Sequence, residues 1–314
     1  MLYFGAMKDF LGQSIAPGPK AVTIGIFDGL HLGHRELIAK VVAVSRREKI
    51  PGALLTFDPH PMKILFPEKE IKMIFDLNDR ASVAKSLGLH HIIVESFNRA
   101  LSEMEPKAFF EKILLSKIQV KYLFVGYNFS FGKNRSGTLD LLKQLCEKNA
   151  VVLMVVPPVK MGDEIISSSK VRMAVLEGKP AVARAYLARP FYLKGEIEKG
   201  AGRGKKIGFP TANLMTKAEL LPKKGVYTTT VEIDGGVFNS VTNVGDNPTF
   251  EEKNRRPVQV ESHLLNFAGD LYGKTCKVNF MEYLRPEIKF GSVDQLIEAI
   301  KKDVKEAGVY FGKK

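Results

Sequence analysis

Two imidazoles three residues apart open the chemistry of this chain. An apolar run, Val22–Phe27, leads into Gly25-Ile26-Phe27-Asp28-Gly29-Leu30-His31-Leu32-Gly33-His34. If that turn winds into a helix, His31 and His34 share a face. Both can then donate hydrogen bonds to a phosphate as charge builds on it, with no covalent bond formed. Glycines such as Gly25 and Gly33 let backbone approach the phosphate, and a helix start adds oriented N–H groups. Without a cysteine or carboxylate at ligand spacing, the pair does not read as a zinc site.

Four more segments carry usable chemistry. In Gly126–Gly137, Asn128 and Arg135 stand among aromatics, so the loop can stack on a planar ring while touching phosphate; a surface loop with buried Phe reads the same way. Ser167, Ser168, Lys170 and Arg172 put hydroxyls and two cations at a helix start, suited to polyphosphate or to simple N-capping. In Gly195–Leu214, glycines alternate with Arg and Lys, Gly202 and Lys206 among them. That run is a flap able to close on phosphates or a solvated linker, and it lacks the GxxxxGK[ST] pattern of a P-loop. Thr211 and Asn213 are two apart, so on an extended segment their oxygens point the same way and suit Mg²⁺ shared with substrate phosphates. Glu261 and His263 likewise share a strand face. A carboxylate there is either an exposed strand charge or a general base that deprotonates a bound alcohol.

These residues need elements to hold them. Val22–Phe27, Ala53–Phe57, Ile92–Val94, Tyr122–Val125 and Val151–Val156 are short β-rich runs. Between several of them lie segments with helical spacing, most clearly Leu37, Ile38, Val41 and Val42. The alternation predicts a parallel sheet with helices on both faces, whose ligands lie beyond the carboxyl ends of the strands. His90-His91 reads as a loop pair. After Ser167 the texture changes: two short helices, then Phe191–Ile197, Val226–Ile233, Val237–Val241, Val258–Leu265 and Thr275–Leu284 with no helix between them. This predicts a small antiparallel barrel with a hairpin turn at Asp234-Gly235-Gly236. A final helix is capped by Ser292 and Gln295.

The 314 residues suit two domains, here 1–186 and 187–314. With 45% apolar and 26% charged residues the composition is that of a soluble globular protein. The chain is expected to be cytoplasmic, because it shows no signal peptide and no apolar run of spanning length. Cys146 and Cys276 are too few for a disulfide framework. The net charge of +13 divides as 26 − 18 = +8 up to Tyr186 and 21 − 16 = +5 beyond it. That field favours anionic partners without choosing among them. A nucleic-acid-binding reading lacks aromatics interleaved on a strand face and leaves both the histidine pair and Thr211/Asn213 unexplained.

The HxGH element resembles the nucleotidyltransferase superfamily. With Thr56–Pro61, Gly126–Gly137 and Ile166–Arg172, the front half is similar to the adenylyltransferase domain of the prokaryotic bifunctional riboflavin kinase/FAD synthetase family. GFPTANL, KGVY, NVGDNPTF, VESHLL and LRPE resemble its riboflavin kinase domain. The resemblance implies a Rossmann-like domain followed by a six-stranded barrel with a terminal helix. It implies FMN synthesis from riboflavin and ATP, then FAD and pyrophosphate from FMN and a second ATP, with Mg²⁺ as cofactor and no nucleic-acid or membrane partner. On these positions, His31 and His34 serve transition-state stabilisation, while Gly25, Phe27, Asp28, Gly33, Ser167, Ser168, Lys170 and Arg172 serve ATP. Asn128 and Arg135 serve flavin. In the kinase, Gly202, Lys206, Thr211 and Asn213 serve Mg-ATP, Glu261 is the base, and Arg285 lies near flavin. The family often has Asp at 128, Thr at 169 and Arg at 170; Lys170 keeps the charge but loses bidentate geometry.

Overall fold

A computed structural model describes residues 8–10, 15, 17–200, 202–245 and 258–312; Asp246–Phe250 of the NVGDNPTF segment and Ala201 of the flap lie outside them. The chain divides into two compact units, Met1–Ser168 and Ser169–Lys314. The sequence texture places its division later, after Tyr186. The intervening helices group with the second unit, where the later of them packs on two barrel strands.

The first unit is a six-stranded sheet. Its strands are β1 (Lys8–Asp9), β2 (Lys20–Ile24), β3 (Gly52–Asp58), β4 (His91–Ser96), β5 (Val120–Gly126) and β6 (Val152–Val156), in the order β1-β4-β3-β2-β5-β6. All pairings are parallel except β1 with β4. The chain runs outward from β2 through β3 to β4, then returns to the other side of β2 for β5 and β6. The crevice of such a sheet opens at that reversal, beyond the ends of β2 and β5. Helices cover both faces. On one, α1 (Leu32–Glu48) buries Leu37, Ile38, Val41 and Val42, the stripe its spacing predicts. α2 (Pro61–Leu65) follows β3, and α3 (Leu77–Ser86) adds Ala81 and Ala84 to the same core. The other face is filled by α4 (Arg99–Ser102), α5 (Pro106–Phe109), a π-helix at Phe110–Ile118 and α6 (Leu139–Lys148). A short hairpin, β7 (Lys160–Met161) with β8 (Glu164–Ile165), ends the unit.

Two sequence expectations are corrected. The first strand stops at Ile24 rather than Phe27, because Phe27 adopts a left-handed backbone (φ 54°) and turns the chain out of the ladder. His90-His91 is not a loop pair. His90 Nδ1 accepts from Gly52 N (3.1 Å), and His91 opens β4 buried, its Nδ1 2.6 Å from Asp9 Oδ2 on β1.

α7 (Ser168–Leu176) starts at the last residue of the first unit, and with α8 (Pro180–Leu187) it precedes the closed barrel of the second. Its strands are β9 (Phe191–Glu198), β10 (Ala212–Thr216), β11 (Gly225–Ile233), β12 (Gly236–Gly245), β13 (Gln259–Leu264) and β14 (Thr275–Arg285), with a single turn, α9 (Arg203–Lys206), between the first two. The turn between β11 and β12 is Asp234-Gly235, both at positive φ as a two-residue hairpin requires. Alternation sends Val260, Ser262 and Leu264 inward and leaves Glu261 and His263 half-buried on the other face. Inside, hydroxyls satisfy one another: Thr229 with Ser240 (2.7 Å) and Thr242 (2.6 Å), and Thr242 with Ser262 (2.7 Å). The last helix, α10 (Val293–Gly312), packs on β11 and β12. Ser292 Oγ accepts from Gln295 N, and Gln295 Oε1 accepts from Gly291 N.

Candidate active sites

The turn after β2 is built from unusual backbone. Phe27, Gly29 and Leu30 all have positive φ, which for Phe and Leu costs about 1–3 kcal/mol each. Buried contacts hold it there. The Ile26 carbonyl accepts from Thr56 Oγ1 (3.1 Å) and Arg80 Nη1 (2.7 Å), and the Asp28 carbonyl accepts from Ser168 Oγ (2.9 Å). The Asp28 carboxylate, 2% exposed, accepts from the backbone N–H of Ile74 (3.0 Å). Asp28 therefore shapes the turn.

His31 is the N-cap of α1, and its Nδ1 accepts from Gly33 N (3.2 Å). A neutral ring capped in that way carries its proton on Nε2. His34 lies one turn on, with ring centroids 3.7 Å apart and planes 21° from parallel. Its Nδ1 is buried with no hydrogen-bond partner among the described residues. Burial drives the His31 pKa down to about 4. Burial first, then the neighbouring His31 and Arg80, hold His34 well below the ordinary histidine range. Both rings are neutral at neutral pH and act as hydrogen-bonding groups.

Beside them opens a cavity of about 960 Å³. Gly25, Phe27, His31, Gly33 and His34 line it, with Ser167 and Ser168. An aromatic cluster lines it as well. Phe57 packs on Phe97 (5.9 Å) and Phe109 (6.5 Å), and Phe131 stacks on Phe129 (5.6 Å). Asn128 and Arg135 also line it, the Arg135 Nε donating to Ser130 Oγ (2.7 Å). Lys170 and Arg172 follow on α7, in the second unit. His60, in the Thr56–Pro61 segment, lines the cavity too. It caps α2 as His31 caps α1, its Nδ1 accepting from Met62 N (3.0 Å). Its signal was its place just past the end of β3.

On the barrel, strand register assembles a second site. Asn213 on β10 stands opposite Glu198 on β9 and Glu261 on β13; Glu261 stands opposite Asn243 on β12. Asn243 pairs with Val226, and Val226 with Arg285 on β14. Asn213, Glu261 and Arg285 therefore lie on one row around the barrel. Asn243, not singled out from sequence, stands between two of them, since pairing register cannot be read from one strand. Thr211 leads into β10. His263 Nδ1 donates to the Pro210 carbonyl (2.8 Å) and braces that entry. A Cβ at Gly200 would collide with the Asn213 amide, so glycine keeps the flap close to it. Gly202 and Lys206 belong to that flap, exposed at its surface. Arg285 is held by Asp303 of α10 through two bonds, Nε to Oδ1 (2.9 Å) and Nη2 to Oδ2 (2.7 Å).

A Rossmann-like sheet with stacked histidines at its first turn, followed by a closed barrel carrying hard oxygen donors and a carboxylate in one row, defines a nucleotidyltransferase joined to a kinase barrel. The FAD synthetase family model matches residues 14–170, and the riboflavin kinase model matches residues 187–311. The bifunctional riboflavin kinase/FMN adenylyltransferase of Bacillus subtilis is 34% identical over 292 residues, 92% of each chain. That of Escherichia coli K12 is 31% identical, covering 93% of this chain and 92% of that one. A crystal structure from Streptococcus pneumoniae, described as a macrolide-efflux protein, superposes with a TM-score of 0.83 at 28% identity, covering 93% and 95% of the two chains. Among the described residues no helix is long and apolar enough to cross a membrane. The chain belongs to the bifunctional riboflavin kinase/FMN adenylyltransferase family.

Proposed function

We infer that the two reactions of the family are divided between the two halves of the chain, at Tyr186–Leu187, with adenylyl transfer in the cavity of the first unit. The chain phosphorylates riboflavin to FMN and adenylates FMN to FAD. The observation that carries the site assignment is one cavity lined both by paired imidazoles and hydroxyls and by clustered phenylalanines. The imidazoles suit the ATP phosphates and the phenylalanines suit a flavin ring. An FMN phosphate oxygen attacks the α-phosphorus of ATP; the new P–O bond forms as the bond to the β-phosphate bridge breaks, and pyrophosphate leaves. His31 and His34 stabilise the developing charge as neutral donors. Ser167 and Ser168 hold the triphosphate.

In the barrel, Glu261 takes the proton of the ribityl 5′-hydroxyl, whose oxygen attacks the γ-phosphorus as ADP leaves. Arg285, three strands from Glu261 around the barrel, serves the flavin. Thr211 and Asn213 fit Mg²⁺: both offer hard oxygens, and the glycine flap lies against Asn213. Mg²⁺ bound there would neutralise phosphate charge.

A chromatographic time course of riboflavin with ATP and Mg²⁺ tests this reading. FMN should appear first, FAD should follow, and pyrophosphate should match FAD. FMN accumulating without FAD would refute the acceptor assignment of the first site, and no flavin product would refute both.

A further inference from the structure

Behind the histidine turn, on the side away from any substrate role assigned so far, lies a buried cation. Arg80 belongs to α3 and is 5% exposed. Its stem lies among Phe27, Leu30, Leu54, Ala81 and Ala84 around a small apolar void. Its Nη1 donates to the Ile26 carbonyl at 2.7 Å, a short charge-assisted bond. An arginine is rarely this buried, because removing its charge from water costs several kcal/mol. A surface lysine on α3 would serve the helix equally well.

We propose that Arg80 is a positioning residue for adenylyl transfer, locking the turn that carries His31 and His34 and fixing a positive charge beneath them.

Two independent observations carry this. The first is geometric. The turn holds Phe27 and Leu30 in left-handed backbone, a conformation that persists only where the surroundings over-determine it. The Ile26 carbonyl, just ahead of Phe27, is gripped by Arg80 and by Thr56 Oγ1. The second is electrostatic. Beyond burial, the charge of Arg80 helps to hold the His34 pKa below its ordinary range, so its field reaches that ring. It therefore opposes protonation of His34 and favours negative charge developing beside that ring. In an apolar surround this field is screened far less than at the surface, and it is already in place before reaction.

The two parts separate by mutation. Arg80→Gln keeps a side-chain donor for the Ile26 carbonyl and removes the charge; Arg80→Lys keeps the charge and one donor. Thr56→Val removes a hydrogen bond to the same carbonyl and no charge. With FMN, ATP and Mg²⁺ supplied to the full chain, Arg80→Gln should lower kcat for FAD formation about tenfold to hundredfold, with KM for ATP and FMN within about twofold. Arg80→Lys should retain kcat within about threefold, and Thr56→Val should lose less than Arg80→Gln. Riboflavin phosphorylation and thermal melting, read on the same samples, report that each variant is folded. The proposal is overturned if Arg80→Gln keeps wild-type kcat, or if Gln and Lys lose activity equally. It is also overturned if the loss in Arg80→Gln lies wholly in KM. Should Arg80→Gln not fold, Arg80→Lys against Thr56→Val decides: a larger loss in the lysine variant refutes the charge.

Discussion

His31 does two jobs with one ring. Its Nδ1 caps α1, and that same bond leaves the proton on Nε2. Replacing His31 by alanine would confuse lost capping with lost chemistry. His31→Asn keeps a capping oxygen, and His34→Ala leaves the cap untouched. Each should reduce FAD formation about a hundredfold or more and leave FMN formation unchanged, as a two-product assay can show. Burial also makes the pair a pH liability. The folded-state pKa of His31 is about 4 against an ordinary 6.5, so the unfolded chain takes up a proton first as pH falls. The associated stability is present above 6.5 and is lost as pH drops toward 4, on the order of 3 kcal/mol for this ring. Acid melts of the wild type should fall more steeply over that window than those of His31→Asn; parallel curves would contradict the assignment.

At the scale of elements, Arg285 shows how a residue read for its chemistry can also hold the fold. Its fork grips Asp303, 3% exposed on α10, and ties the last strand to the last helix. Arg285→Met alone strands a buried carboxylate, a change that costs about 3–5 kcal/mol. Pairing it with Asp303→Leu should recover most of that loss in denaturant unfolding, while KM for riboflavin stays raised if Arg285 contacts flavin. What the sequence makes legible follows the same division. Alternation and helical spacing are local, so β9, β11, α1 and α10 can be read from one segment each, as can the shared face of His31 and His34. The row from Asn213 to Arg285 is a matter of register across strands, and no single segment contains it. His91 is the clearest failure: adjacent histidines look like a polar loop because the Asp9 partner is 82 residues away. Arg80 gave no signal at all, since one arginine on an amphipathic helix looks like a solvated charge.

Over the whole molecule, the two sites share no residue. The cavity belongs to the sheet unit, the Asn213–Glu261 row belongs to the barrel, and each unit has a core of its own. Each therefore has what a domain needs to fold and work alone. A chain crippled at one site should keep the other complete. Glu261→Ala is expected to make FAD from supplied FMN and none from riboflavin, whereas His34→Ala is expected to stop at FMN. Mixing the two variants with riboflavin, ATP and Mg²⁺ then requires FMN to leave one chain and bind another. FAD should form after a lag that shortens as the His34→Ala chain is raised, because that chain alone supplies FMN. In the wild type, unlabelled FMN added to labelled riboflavin should dilute the label reaching FAD in proportion to the free pool. Undiluted label, together with a silent mixture, would mean that FMN passes between sites without entering solution, and the two units could no longer be treated as independent catalysts on one chain.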